Sequence, residues 1–171
     1  SSAASDVYKR QDIQNQPDSR NLDIDRVGVK ELKYPIRIRD KEHAEQSTVA
    51  TFSMAVDLPR EYKGTHMSRF VELASRFSAE DSAAVSRESL EHFSEDLLDR
   101  LEAEDGRLRI KGRFLLKRSS PVTEIDLPVP FDFAWKLRAR RVEGKVHTKL
   151  VTEVGVLATS LCPCSREISA Y

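Results

Sequence analysis

The hydrophobic pattern changes its period along this chain, and that change constrains the fold more than any other feature. Alternate residues are apolar over 34–39 and 50–58, a period of two that predicts two half-buried strands forming a hairpin. Over 67–77 and 86–101 the apolar residues recur three and four positions apart, which predicts two amphipathic helices. Two strands followed by two helices indicate a sheet with both helices on one face.

Alternation returns in the rest of the chain and predicts three more strands, at residues 107–117, 129–138 and 145–159. The order strand, strand, helix, helix, strand, strand, strand predicts an α+β fold with an antiparallel sheet. On the third strand, basic residues alternate with the apolar ones. The sheet face opposite the helices is therefore expected to be basic, and in a closed ring of subunits it could line a tunnel.

Local signals predict where these elements start and end. Thr65 and Ser86 are the expected N-caps of the two helices, and Gly106 follows the second helix. Glu143 and Gly144 are expected to turn the fourth strand into the fifth.

Composition narrows the classes of function. A chain of 171 residues has the usual size of one domain. Its 28 Lys and Arg residues balance 28 Asp and Glu residues, and no aromatic residues interleave with the basic strand, so we expect no nucleic-acid partner. The sequence has no bilayer-length apolar stretch and no signal segment, so we expect a cytoplasmic protein with reduced cysteines and no membrane partner.

The first residues show no apolar period. We expect residues 1–26 to be a disordered or extended arm, with residues 1–10 a disordered or even non-native extension to which we assign no function. One structural module is expected to occupy residues 27–171.

Polar side chains collect around the predicted start of the first helix. Lys63, His66, Ser68 and Arg69 supply an ammonium, an imidazole, a hydroxyl and a guanidinium. Free N–H groups and the positive end of the helix dipole favour phosphate at such a place. An ordinary capped helix with surface charges is the alternative interpretation.

Cys162 and Cys164, the two cysteines of the chain, flank Pro163. A thiolate is both a nucleophile and a soft metal ligand. A structural zinc site would need two more Cys or His residues at regular spacing, which this sequence lacks. One sulfur on a catalytic metal with an open water position fits better, and two buried, inert thiols are the alternative.

Several segments together resemble the type IB GTP cyclohydrolases, the prokaryotic GTP cyclohydrolase I family of the tunnelling-fold superfamily. The longest are Lys-Gly-Thr-His-Met-Ser-Arg-Phe at 63–70 and Leu-Cys-Pro-Cys-Ser-Arg-Glu-Ile-Ser at 161–169. The resemblance extends from about residue 12 to residue 171. Shorter matches lie at residues 12–14, 20–25, 27–29, 32–35 and 46–50.

This resemblance implies a ββααββ-type tunnelling module, the first of two in the chain, within a homo-oligomer, expected to be a tetramer, whose active sites lie between subunits. It implies that a metal-activated water attacks C8 of GTP, giving formate and 7,8-dihydroneopterin triphosphate, the first step of folate biosynthesis. In the family the cysteine matching Cys162 ligates zinc or manganese, or iron in archaeal relatives. The cysteine matching Cys164 lies close to the purine.

Family members continue beyond the position of Tyr171 with a Gly-Ala-His segment, whose histidine is a metal ligand, and a second module. We therefore expect the parent protein, rather than these 171 residues alone, to be active. The site hypothesis has Cys162 as metal ligand, Cys164 in proton transfer or purine positioning, and phosphate or ribose held by Lys63, His66, Ser68 and Arg69.

Three alternatives stay open. One is an archaeal-type, iron-dependent cyclohydrolase that yields a cyclic phosphate. Another is a nitrile reductase of the same fold, in which a cysteine attacks a nitrile and a nicotinamide supplies hydride. The third is a non-catalytic oligomerising scaffold with a structural metal.

Overall fold

The structure, a computed structural model, describes residues 26–40, 44–57, 65–78, 83–119 and 126–158. The predicted order of strands and helices is confirmed within these ranges. The elements are β1 Arg26–Arg39, β2 Glu45–Asp57, α1 Met67–Phe77, α2 Arg87–Leu101, β3 Asp105–Ser119, β4 Asp126–Val142 and β5 Lys145–Gly155.

The strands form one sheet in the order β1-β2-β3-β4-β5, and every neighbouring pair is antiparallel. Both helices lie between β2 and β3 in the chain, although these strands are neighbours in the sheet. The apolar faces of both helices and the inward residues of the sheet form one buried cluster. The α+β class, with two helices on an antiparallel sheet, is confirmed.

Phe52 on β2 lies at the centre of this core and is fully buried. Its ring contacts Tyr34 on β1, Phe77 on α1 and Phe93 on α2, with ring centroids 6.0–6.3 Å apart. Perpendicular and tilted ring pairs at such distances are favourable. The core therefore joins the first hairpin to both helices.

The first strand begins eight residues earlier than its alternation predicts, at Arg26 instead of Tyr34. The pairing of β1 with β2 shifts register between Val29 and Leu32, and Glu31 adopts a positive φ of 60°. A bulge of this kind interrupts period two, which conceals the strand from sequence analysis. Arg26, the last residue assigned to the arm, is part of the sheet.

The helix ends follow the predictions only in part. Ser86 caps α2 as expected, and it shares a reciprocal capping box with Ser89. The prediction that Thr65 caps α1 is wrong, because His66 takes the N-cap position and makes no side-chain capping bond. Glu102 adopts the left-handed conformation after α2 in place of a glycine, and Gly106 lies within β3.

Glu143 and Gly144 form the predicted turn between β4 and β5. Their φ angles are 50° and 77°, and two positive φ angles in succession match the right-handed twist of a hairpin. The last strand ends at Gly155, and residues 156–158 are not part of a strand. The prediction that the strand extends to residue 159 is therefore wrong for residues 156–158, and residue 159 lies outside the described residues. Neither described helix combines the length and apolarity that crossing a membrane requires.

Candidate functional site

The start of α1 brings together three of the predicted binding residues. His66 precedes the helix in an extended conformation, and its carbonyl oxygen accepts a hydrogen bond from the Arg69 N–H at 3.0 Å. Ser68 is exposed and Arg69 is half-buried. Together with Glu72 and Arg100, they line a hollow of about 340 Å³.

Arg69 connects the start of α1 to the end of α2. Its Nη1 donates a hydrogen bond to the carbonyl oxygen of Arg100 at 2.8 Å and lies 3.7 Å from Oε1 of Glu102. Carbonyl groups in the last turn of a helix lack helical partners, and a cation is favourable at that negative end of the dipole. Arg69 therefore has a structural role as well as its predicted binding role.

The hollow contains two guanidinium groups beside exposed carboxylates. Nη1 of Arg100 lies 3.6 Å from Oε2 of Glu72, whose side chain is 58% exposed. Exposed ion pairs of this length contribute little free energy and exchange readily for other partners. A small anion could therefore enter the hollow and take guanidinium hydrogen bonds from Arg69 and Arg100.

Three predicted site residues, Lys63, Cys162 and Cys164, lie outside the described residues. In the part of the chain that the structure describes, no three His, Cys, Asp or Glu side chains are grouped as a metal site would require. The metal-ligand role of Cys162 and the helper role of Cys164 stay predictions.

Sequence reasoning missed Glu72 and Arg100, which line the same hollow. It also missed Glu102, whose Oε1 lies 3.7 Å from Nη1 of Arg69. Glu72 could have been found, since it lies three residues after Arg69 and so on the same side of the helix. Arg100 and Glu102 are more than 30 residues away in the chain. Only the packing of α2 against α1 brings them to the site.

The sheet face opposite the helices is basic, as predicted, and Arg107, Arg109 and Lys111 on β3 are exposed there. Asp105 is the buried acid at the end of this row, and it accepts hydrogen bonds from Arg138 and Arg140 at 2.9 Å. Burial raises the pKa of the Asp105 carboxyl, but the two guanidinium hydrogen bonds outweigh burial and hold the pKa below its ordinary value. This carboxylate therefore stays charged at neutral pH and holds the guanidinium groups of Arg138 and Arg140.

The chain is similar over most of its length to known proteins. The family model of the type I GTP cyclohydrolase FolE2 matches residues 11–171. The GTP cyclohydrolase FolE2 of Aromatoleum aromaticum is 39% identical over 160 residues, which are 94% of this chain and 56% of that protein. The protein of the same name from Akkermansia muciniphila is 41% identical over 169 residues, 96% of this chain and 60% of that protein.

A third relative, the GTP cyclohydrolase FolE2 of Methylococcus capsulatus, is 40% identical over 161 residues, covering 92% of this chain and 56% of that protein. The chain thus spans somewhat more than half the length of the curated relatives that it matches. The family match extends over nearly the whole chain and includes both long sequence motifs. This chain belongs to the type I GTP cyclohydrolase FolE2 family.

Proposed function

We propose that this chain acts as part of a GTP cyclohydrolase, which hydrolyses GTP at C8 to 7,8-dihydroneopterin triphosphate and formate in folate biosynthesis. The observation that carries this proposal is the family match over residues 11–171. Three relatives named GTP cyclohydrolase FolE2 are 39–41% identical over more than nine-tenths of the chain.

The proposed assembly is a tunnelling fold, with this module as the first of two and four copies around a barrel. Among the described residues, β1 and β5 each pair on one side only, so the sheet could continue into neighbouring modules. The helices cover one face, which leaves the basic face for the inside of such a barrel. Active sites between subunits would draw residues from two copies.

Binding of the phosphate or ribose of GTP is assigned to Lys63, His66, Ser68 and Arg69. The hollow at the start of α1 supports this assignment, because it combines guanidinium, imidazole and hydroxyl groups at a helix N-terminus. Arg69 would share its donors between the carbonyl oxygen of Arg100 and a phosphate oxygen. A guanidinium has five N–H donors and can serve both.

Cys162 is the proposed ligand of a divalent metal, and the other ligands would lie outside the described residues. The metal is zinc or manganese, with iron as a third candidate. A thiolate suits zinc and iron better than it suits manganese. When bound, the metal would supply a Lewis acid that lowers the pKa of water toward neutrality. Cys164 would position the purine or carry a proton beside it.

The metal assignment is tested by Cys162→Ala in the complete protein. We expect metal content, measured by mass spectrometry, and formate release from GTP both to fall to background. Cys164→Ala is the matched control, which should keep the metal and lose turnover. If Cys162→Ala retains metal and releases formate at the native rate, the assignment is wrong. The product mass also distinguishes the triphosphate from a cyclic phosphate.

The phosphate role is tested by Arg69→Gln. Loss of a charge-assisted phosphate contact should weaken GTP binding by about tenfold or more and leave guanosine binding almost unchanged. Arg76→Gln, which removes an exposed arginine from the last turn of the same helix, is the control. Equal losses for GTP and guanosine would leave Arg69 with its structural role alone.

A further inference from the structure

The open face of the sheet, opposite the helices, holds a cleft of about 940 Å³ that extends from β1 to β5. Among the described residues, every charged side chain that lines this basic cleft is a Lys or an Arg, and none is an Asp or a Glu. The chain as a whole carries equal numbers of acidic and basic residues. Its charges are therefore separated in space, with positive charge concentrated in the cleft.

Strand register places three of these cations in one row across the sheet. Arg107 lies directly opposite Arg138, and Arg138 lies directly opposite Lys149. The row spans two strand spacings, about 10 Å. A second like-charged pair, Arg109 opposite Lys136, lies beside it. Like charges directly opposite each other destabilise a sheet, so this arrangement costs free energy when no anion is bound.

Nearby acids neutralise only part of this charge. Lys136 pairs with Glu153, and Arg138 shares Asp105 with Arg140. Among the residues that the structure describes, Arg107, Arg109 and Lys149 have no acidic partner within 4 Å. The centre of the cleft therefore keeps three cations whose charge an external anion could neutralise.

We propose that the basic cleft binds a small anion carrying two or more phosphate groups, at a site separate from the hollow at the start of α1. A row of cations about 10 Å long matches several linked phosphates better than a single one. Guanidinium groups offer paired donors to phosphate oxygens. None of the described residues that line the cleft is aromatic, so these residues offer no stacking surface for the bases of a nucleic acid.

The proposal is tested by isothermal titration of the complete native protein with inorganic tripolyphosphate and with orthophosphate, in phosphate-free buffer. Tripolyphosphate should bind about tenfold or more tightly than orthophosphate, and its affinity should fall as salt rises. The double variant Arg107→Gln and Lys149→Gln should lose about tenfold or more in affinity. Arg113→Gln is the control: it removes an exposed arginine of the same strand that Asp132 already neutralises outside this cleft.

Tripolyphosphate could also enter the proposed triphosphate site, and Arg69→Gln separates the two. Binding in the cleft should survive in Arg69→Gln, and the double cleft variant should keep its native KM for GTP. A failure of the cyclohydrolase proposal would leave the cleft titration unaffected. Loss of tripolyphosphate binding in Arg69→Gln, or loss of GTP turnover in the double cleft variant, would show that the cleft and the hollow are not separate sites. Either result would overturn the proposal.

Thermal unfolding gives a second readout. Arg107→Gln should raise the Tm of the free protein, because it removes a like-charged pair, and tripolyphosphate should raise the Tm of the native protein more than that of the double variant. The proposal fails if Arg113→Gln weakens tripolyphosphate binding as much as the double variant does. It also fails if a short single-stranded oligonucleotide binds in the cleft more tightly than tripolyphosphate.

Discussion

Asp105 is the one buried carboxylate among the described residues, with 9% of its side chain exposed. Oδ2 accepts hydrogen bonds from Arg138 and Arg140, and Oδ1 is buried without a described hydrogen-bond partner. A buried acid with two guanidinium donors is costly to alter, since the change leaves two cations without their counter-charge.

Asp105→Asn should therefore lower the free energy of unfolding by about 2 kcal/mol, measured by urea denaturation at neutral pH. Asp132→Asn is the matched control, because it removes a similar arginine pair on an exposed surface and should have little effect. Equal losses in the two variants would show that burial does not strengthen the Asp105 contacts.

The same carboxylate predicts how stability responds to acid. The pKa of Asp105 in the folded protein lies below its ordinary value of 3.8, so the unfolded chain binds the proton first as pH falls. The contribution of Asp105 is present above about pH 4 and disappears as pH falls through the folded pKa. As the pH is lowered from about 5 to about 3, the free energy of unfolding should thus fall less steeply for Asp105→Asn than for the native protein. Urea denaturation at each pH measures this difference.

Among the helices, α2 has the better defined start. The hydroxyl of Ser86 accepts a hydrogen bond from the Ser89 N–H at 3.1 Å, and the Ser89 hydroxyl accepts one from the Ser86 N–H at 2.9 Å. This reciprocal pair satisfies N–H groups that a helix start leaves without partners. In α1, His66 provides no such side-chain bond.

Ser86→Ala should lower the free energy of unfolding by about 1 kcal/mol, because it leaves the Ser89 N–H without its acceptor. The measurement is chemical denaturation, and Ser75→Ala on the exposed side of α1 is the control. Alanine has the higher helix propensity, so the control should be neutral or slightly stabilising. A neutral Ser86→Ala would mean that water replaces the cap without cost.

The molecule as a whole depends on Phe52, because this side chain contacts both helices and the neighbouring strand. Phe52→Ala should lower the free energy of unfolding by about 4 kcal/mol, since it leaves a cavity where these elements meet. Phe114→Ala, at a half-buried ring that stacks on Phe131, should cost about half as much. Thermal unfolding of both variants checks the difference, and similar losses would contradict the central place of Phe52.

The order of elements and most of the core could be predicted from the sequence, because both depend on local periodicity. Leu90, Phe93 and Leu97 recur at helical spacing and are buried on α2. Ile110 and Leu137 occupy inward positions of alternating strands and are buried as well. The helix cap at Ser86 and the turn at Glu143 could also be predicted from the sequence, since each depends on a few adjacent residues.

The candidate site could be predicted only in part. His66, Ser68 and Arg69 share one sequence motif, and the structure places them around one hollow. The position of their neighbour Arg100 in the hollow depends on the packing of α2 on α1, which no short sequence pattern predicts. Cys162 and Cys164 lie outside the described residues, so their roles stay predictions from the sequence alone.

By itself, the sequence determined the fold class and the motifs that mark the family, because periodicity and motif membership are properties of neighbouring residues. Tertiary structure alone decided the bulge after Val29 and the contact of Arg69 with the end of α2. It also decided the cation row of Arg107, Arg138 and Lys149. Each of these depends on strand register or helix packing, which joins residues distant in the chain and is set by the fold as a whole.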